Sequence, residues 1–159
     1  MPAFARSFSK HLRTLVVPAL TEAGFAFDGS RSFRRFPKGT TCAQIVSFQL
    51  GERFMEGKFT VNLAVYNPDD AAAQLEPEKA FEYHCSVRLR QRLGFLLPQP
   101  LGAFARLPVL GFLFLPRDKW WRAGDPEAIE KARNAILAYG LAWLESKTQG
   151  AAAEPPSKK

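Results

Sequence analysis

The chain has 159 residues, and 22 Lys and Arg against 15 Asp and Glu give it a net charge of +7. Hydrophobic residues make up 47% and charged residues 23%, the balance of an ordinary globular domain. This length and composition exclude a disordered protein, a disulfide-stapled miniprotein, a fibre and a multidomain machine, and they predict one globular domain over residues 1–147.

The positive charge is unevenly distributed along the chain. Residues 1–40 hold seven basic and two acidic side chains and residues 81–120 hold six and two, whereas residues 41–80 hold three and six. Nucleic acid, anionic lipid and an acidic protein partner all fit this pattern, and so does a solvated surface. Cys42 and Cys85 are too few for a disulfide framework and match no zinc spacing, so we expect reduced thiols in a cytoplasmic protein.

The first predicted element is an amphipathic helix over residues 4–23. Apolar side chains recur there at intervals of three and four residues, with basic side chains off that stripe. Pro18 should bend or divide the helix, because a proline removes a hydrogen bond and clashes with the preceding turn, and Gly24 should end it. The apolar stretch around Pro18 is too short for a secretory signal peptide.

Strands punctuated by turn residues are predicted next, over residues 25–27, 32–36, 41–50 and 59–66. The last of these alternates strictly between apolar and polar residues, which indicates a half-buried strand of an antiparallel sheet with one face on a core and one face in water. Residues 71–82 predict a loop with a short helical turn. Alternation then returns over residues 84–93, which predicts a further strand.

The final predicted element is a helix over residues 126–147, with Asp125 as its N-cap and Pro126 at its first position. Residues 148–159 are small and polar, and we expect them to form a disordered tail. A helix, antiparallel strands and a second helix together predict an α+β fold. The simplest arrangement has two layers, with about four to six strands and both helices packed on one face of the sheet.

Several segments occur in an order that is typical of a known family. They are Glu22-Ala23-Gly24-Phe25, Ser32-Phe33-Arg34-Arg35, the strand that bears Gln49, Phe59-Thr60-Val61-Asn62-Leu63, residues 85–94 with their Arg-Leu-Gly, and Trp120-Trp121. Over residues 4–147 the chain therefore resembles the bacterial family labelled domain of unknown function 4304. The resemblance implies no established activity and brings no catalytic residues with it. Residues 94–116 depart from the family pattern by being longer and more apolar.

An arginine-rich segment is the first candidate site. Arg88, Arg90 and Arg92 alternate along a predicted strand, so their side chains would share one face. Together with Arg34 and Arg35 on a nearby strand, they would form a basic platform for phosphates or carboxylates, beside aromatic side chains on which bases could stack. The alternative is the solvent face of an amphipathic strand, where charge also prevents edge-to-edge aggregation.

The second candidate site is the apolar run over residues 93–116, where 15 of 24 residues are apolar, three are Gly and four are Pro. The prolines and Arg106 argue against a membrane span. The run either folds over the core as a flap or forms a surface for another protein or a second copy of the chain. The residues predicted to form that surface are Phe104, Leu107, Leu110, Phe112 and Phe114.

Trp120 and Trp121 follow this run and extend the candidate partner surface, because tryptophan is common at the energetic centre of interfaces. In the alternative interpretation, one indole fills the core beneath the last helix and the other shields it.

Known catalytic motifs are absent from the sequence. There is no P-loop, dinucleotide-binding, paired-cysteine or nucleophile-elbow pattern, and as neighbours in a strand His84 and Cys85 would point to opposite faces. We therefore expect no catalytic set, no cofactor and no metal. The predicted function is that of a small non-enzymatic binding protein, antitoxin-like or immunity-like, whose partner is another protein or its own copy. The alternative is a nucleic-acid-binding module that uses the arginine-rich strand face, and a third option is a hydrolase or transferase with an unrecognised site.

Overall fold

In the computed structural model, which describes residues 2–70, 75–98 and 118–153, the chain begins with helix α1 (residues 3–22). Its α-helical segments, Ala3–His11 and Val17–Glu22, are joined by a π-helical turn at Leu12–Val16. The wide turn lies directly before Pro18, whose ring would crowd a preceding carbonyl and which has no N–H to donate. Pro18 therefore divides the helix, as predicted, without ending it.

Six strands form one antiparallel sheet in the order β1-β2-β3-β4-β5, with β6 also paired to β4. The longest pairing, between β3 and β4, matches eight residues on each strand. This sheet and the two terminal helices confirm the predicted α+β class. The strands are β1 (Ala26–Phe27), β2 (Ser32–Arg35), β3 (Ala43–Leu50), β4 (Lys58–Tyr66), β5 (Arg90–Arg92) and β6 (Trp121–Arg122).

Helix α2 (residues 126–153) consists of Pro126–Ala135, a π-helical turn at Ile136–Gly140, and Leu141–Ala153. It begins as predicted, because Asp125 Oδ1 accepts a hydrogen bond from the backbone N–H of Glu127 at 3.0 Å. The prediction of disorder from residue 148 onward is wrong for residues 148–153, which are helical. The reason is a tertiary contact: Thr148 is buried and its hydroxyl accepts a hydrogen bond from the Gln44 side chain.

The main core lies between the two helices and one face of the sheet, which we call the helix face. Phe59 is its centre, with its ring 5.0 Å from Phe8 and stacked on Trp121 at 5.6 Å. Trp121 is only 4% exposed, so it fills the core, as one of the two interpretations of the tryptophan pair predicted. Its assignment to an exposed partner surface is wrong.

We call the opposite face of the sheet the outer face. It was predicted to be exposed to solvent, but part of it is buried. Ala64 and Tyr66 of β4 are fully buried on this face, together with Ile45 of β3. Residues 75–89, the cover segment, lie across them and contribute Ala80 and Cys85 to this second apolar cluster. The cover is anchored at its start, where the Tyr66 hydroxyl hydrogen-bonds both the N–H and the carbonyl of Leu75.

The cover segment also corrects the predicted strand over residues 84–93. Only Arg90–Arg92 pair with the sheet, and the residues before them form short 3-10 turns at Glu82–His84 and Val87–Leu89. Cys85 and Leu89 are buried against the sheet, whereas Val87, midway between them, is 75% exposed. The sequence pattern therefore predicted the apolar positions of Leu89 and Leu93 but neither the exposure of Val87 nor the lack of backbone pairing.

Candidate functional site

Arg34 and Arg35 point to opposite faces of the sheet, as successive residues of a strand do. Arg34 is opposite Ile45 on the outer face, whereas Arg35 is opposite Gln44 on the helix face. A basic platform that contains both side chains is therefore wrong. Arg88 also leaves the predicted face, because it lies on the Val87–Leu89 turn and not on β5.

Arg34 fastens the cover segment to the sheet. It is 9% exposed, and its Nε donates to the carbonyl of Ala80 at 2.9 Å. Its guanidinium lies 4.7 Å from the centre of the Phe81 ring and 3.8 Å from the Asp28 carboxylate. Arg34 therefore has a structural role in the described fold and offers no open face to an anion.

The Asp28 carboxylate supports Arg34 from the turn after β1. Burial by itself would raise the pKa of Asp28, but hydrogen bonds from the backbone N–H groups of Ser30 and Ser32, from the Ser30 hydroxyl, and the charge of Arg34 lower it below its ordinary value. The stabilisation that Asp28 provides is therefore present at neutral pH and is lost as the pH falls through that lowered pKa.

Arg35 joins the end of α1 to the sheet and to α2. Its Nε donates to Gln44 Oε1 at 2.7 Å and its Nη1 donates to the carbonyl of Ala23 at 3.0 Å. Its Nη2 lies 3.4 Å from the Glu145 carboxylate, and its guanidinium lies over the Phe25 ring. These contacts occupy Arg35 as a structural link.

An open cleft of about 490 Å³ lies on the outer face where the cover segment ends, and we call it the outer cleft. Its floor includes two amide side chains, with Asn62 Nδ2 donating to Gln49 Oε1 at 3.1 Å. Its rim carries large apolar side chains that are strongly exposed. The lining residues are Gln49, Asn62, Leu63, Glu82, Tyr83, Val87, Arg90, Gln91, Arg92 and Phe95.

The two arginines of β5 line this cleft in different states. Arg92 Nη1 lies 2.6 Å from Asp118 Oδ2, and its guanidinium lies 5.5 Å from the Trp120 ring, whose Nε1 donates to the same carboxylate oxygen at 3.0 Å. The side chain of Arg90, by contrast, forms no hydrogen bond or ion pair with any described residue. Within the described part of the chain, Arg92 is therefore paired with an internal carboxylate, and the guanidinium of Arg90 is not.

The aromatic wall of the cleft is the ring of Tyr83, which packs against Phe81 on the side away from the cleft. Tyr83 is 63% exposed and stacks almost parallel on Phe81, with ring centres 5.6 Å apart. Phe81 in turn lies under the Arg34 guanidinium, and its backbone N–H donates to His84 Nδ1 at 3.0 Å. Arg34 is therefore a positioning residue for the wall that Tyr83 presents.

Cys85 lies beneath this wall in the second apolar cluster. Burial raises the pKa of its thiol to about 12, with Glu82 and Asp70 acting in the same direction and Arg90 opposing them. A thiol in this state is protonated at neutral pH and is unsuited to nucleophilic attack. Within residues 2–70, 75–98 and 118–153, no three His, Cys, Asp or Glu side chains cluster closely enough to hold a metal ion.

Replacing Cys85 with alanine is expected to reduce the loss of stability at alkaline pH. Between the ordinary pKa of 9.0 and about 12, the unfolded chain releases a proton that the folded chain keeps, so the free energy of unfolding falls as the pH rises. At pH 11, two units above the ordinary value, this loss amounts to about 3 kcal/mol. Urea unfolding of both proteins from pH 8 to 11 measures the difference, and parallel pH curves would contradict the assignment.

Most of the predicted partner surface falls outside the part of the chain that the structure describes. This holds for Phe104, Leu107, Leu110, Phe112 and Phe114. Trp120 is half-buried beside Arg92, at the edge of the outer cleft. Among the described residues, no helix has the length and apolar character needed to cross a membrane.

Only Arg90 and Arg92 of the ten cleft residues were predicted as site residues from the sequence; the other eight, among them Gln49, Asn62 and Tyr83, were not. Gln49 and Asn62 carried a weak signal, because both are polar residues of alternating strands, but their common position requires the β3–β4 register. Tyr83 carried none, since its exposure depends on the path of the cover segment.

Comparison with known proteins gives a family match. A family model described as "Domain of unknown function (DUF4304)" matches residues 16–146, a range that contains all six strands and the whole outer cleft. No curated protein and no solved structure matches the chain. The cleft is therefore interpreted from the geometry of this chain.

Proposed function

The chain belongs to the DUF4304 family, and because the family description assigns no activity, we propose a function from the outer cleft: a small non-enzymatic protein that docks another protein there. The single observation that carries this proposal is the composition of the cleft. It combines two amide side chains, an arginine that pairs with no described side chain, and three of the eight exposed large apolar side chains among the described residues: Tyr83, Val87 and Phe95. Exposed apolar patches with a polar surround are typical of interaction sites.

A nucleic-acid-binding role receives less support from the same geometry. Affinity for nucleic acid depends on the number of phosphates that basic side chains neutralise. Arg34 and Arg35 are engaged in internal contacts, and Arg92 already has the Asp118 carboxylate. Glu82 adds a negative charge to the cleft lining. The geometry therefore favours protein over nucleic acid as the partner.

The non-enzymatic part of the proposal is supported by the state of Cys85, whose raised pKa is the reverse of what a nucleophile needs. We further propose a cytoplasmic location. Free, buried thiols such as Cys42 and Cys85 support it, because reduced cysteines are the usual state in that compartment.

Val87→Glu is expected to abolish capture of the partner from native lysate, whereas Phe54→Glu is expected to leave capture intact. Val87 is 75% exposed on the cleft rim, and Phe54 is 99% exposed at the tip of the β3–β4 hairpin, outside the cleft. Both variants place the same charge on an exposed apolar position, so both should fold with stability within about 0.5 kcal/mol of the parent. Quantitative mass spectrometry of proteins retained by each immobilised variant provides the measurement.

Parallel captures with nuclease and a sedimentation measurement complete the design. Retention that survives nuclease and is lost only in Val87→Glu supports protein docking. If the two variants retain the same proteins, or if nuclease removes them, the proposal fails. Self-association is the partner if the parent chain sediments as a dimer and Val87→Glu sediments as a monomer.

A further inference from the structure

We infer that the partner segment docked in the outer cleft is acidic, and that one of its carboxylates binds the guanidinium of Arg90. This inference rests on the proposed function and specifies the chemistry of the partner. It begins from the difference between the two arginines of β5, which lie on the same face of one strand and line the same cleft.

Arg92 shows that an arginine on this face of β5 binds a carboxylate. Its Nη1 lies 2.6 Å from Asp118 Oδ2, and the Trp120 indole donates to the same oxygen at 3.0 Å. Charge-assisted pairs of this kind are among the stronger hydrogen bonds in proteins. The carboxylate of Asp118 therefore forms an ion pair with Arg92, whereas no carboxylate in the described part of the chain forms an ion pair with Arg90.

The position of Arg90 is fixed by the sheet, so its guanidinium is available to a carboxylate of a partner. Its backbone is fixed by pairing with Ala64 of β4, and its side chain is half-buried at the cleft wall. A planar guanidinium whose N–H groups are unpaired binds a carboxylate through bidentate hydrogen bonds, and partial burial strengthens that attraction. The positive charge is thus presented at a defined place.

The surroundings of Arg90 favour a polypeptide as the carrier of that carboxylate. Gln49 and Asn62 on the floor can exchange hydrogen bonds with a peptide backbone, and Tyr83 and Phe95 offer an apolar rim to a neighbouring side chain. A nucleic acid strand would bring a row of phosphates against one open guanidinium and the Glu82 carboxylate. One carboxylate flanked by apolar side chains matches the cleft better.

Selection of random dodecapeptides on the immobilised full-length protein tests this inference without knowledge of the natural partner. Selection on the parent chain is expected to enrich Asp or Glu beside aromatic or aliphatic residues, and selection on Arg90→Gln is expected to lose that enrichment. Arg31→Gln is the matched control, because Arg31 is exposed and lies outside the cleft. Enrichment of neutral or basic peptides by the parent would overturn the inference.

A double-mutant cycle then assigns the contact. For the best acidic peptide, Arg90→Gln is expected to raise the Kd about 10- to 100-fold, the range for losing a hydrogen bond to a charged group. Replacing the critical peptide carboxylate with its amide should have the same effect, and the two changes together should be far from multiplicative. Independent effects would place the carboxylate elsewhere and overturn the assignment to Arg90.

Two further outcomes separate this inference from the proposed function. If the selected peptides are neutral but lose binding in Val87→Glu, the cleft docks protein and only the acidic chemistry is wrong. If no peptide depends on Val87 or Arg90, both the inference and the proposed function fail. Displacement of the acidic peptide by equimolar single-stranded oligothymidylate would favour nucleic acid and likewise overturn the inference.

Discussion

Replacing Arg34 with alanine is expected to lower the free energy of unfolding by about 3 kcal/mol, the size of effect seen when one partner of a buried ion pair is removed. The substitution leaves the Ala80 carbonyl without its donor and removes the cation from above the Phe81 ring. The cover segment should then loosen from the outer face. We therefore expect Cys85, which belongs to that segment and is buried against the sheet, to react faster with an uncharged thiol reagent in the native protein.

Arg31→Ala is the control for this prediction, because Arg31 lies three residues before Arg34, in the connection that leads into β2, and is exposed. Its free energy of unfolding should stay within about 0.5 kcal/mol of the parent value. Urea unfolding and the rate of Cys85 alkylation measure both variants. Equal stability of the Arg34 and Arg31 variants would mean that Arg34 is not a structural residue and would restore it as a candidate anion-binding side chain.

Replacing Gly94 with alanine is expected to lower the free energy of unfolding by about 2 kcal/mol, within the usual range for forcing an extra carbon into a packed site. A Cβ at this position would lie 2.2 Å from the backbone nitrogen of Lys119 and 2.6 Å from Asp118 Oδ1. The segment that carries Asp118 would have to move. Arg92 should then lose its internal carboxylate, and the Trp120 indole its acceptor.

Gly124→Ala is the matched control, because a Cβ there meets nothing within 4 Å. We expect it to change stability by less than about 0.5 kcal/mol. Urea unfolding compares the two variants, and the NMR shift of the Trp120 indole N–H reports directly on its bond to Asp118. An unchanged Trp120 resonance in Gly94→Ala would contradict this account. The same contact gives a physical reason for a glycine at the end of the Arg-Leu-Gly segment of this chain.

The helices and the central strands could be predicted because their signals are local. Apolar spacing marked both helices, Asp125 and Pro126 marked the start of α2, and strict alternation marked β4. The two β5 arginines could also be placed on one strand face, since Arg90 and Arg92 do line the same cleft. These features depend on a period of 3.6 or 2 residues, which the sequence displays directly.

The cover segment could not be predicted, because apolar and polar residues that alternate in the sequence are compatible both with a strand and with a series of turns. Cys85, Val87 and Leu89 alternate with polar residues, but the chain makes 3-10 turns there and leaves Val87 75% exposed. Pairing with β4 separates these cases, and only Arg90–Arg92 have it. The path of this segment in turn decides that Tyr83 faces the cleft.

The net charge of +7 and the arginine-rich segments were fixed by the sequence, but which arginines can meet a partner was decided by tertiary structure. Arg34 and Arg35 adjoin in the chain, yet strand geometry sends one under the cover segment and the other against the helices. Asp118 lies 26 residues from Arg92 and binds it, while Arg90, two residues from Arg92, forms no ion pair with a described carboxylate. Sequence by itself determined the fold class and the supply of charge. Long-range contacts alone determined which charges are satisfied internally, because electrostatic pairing depends on distance in space and not along the chain.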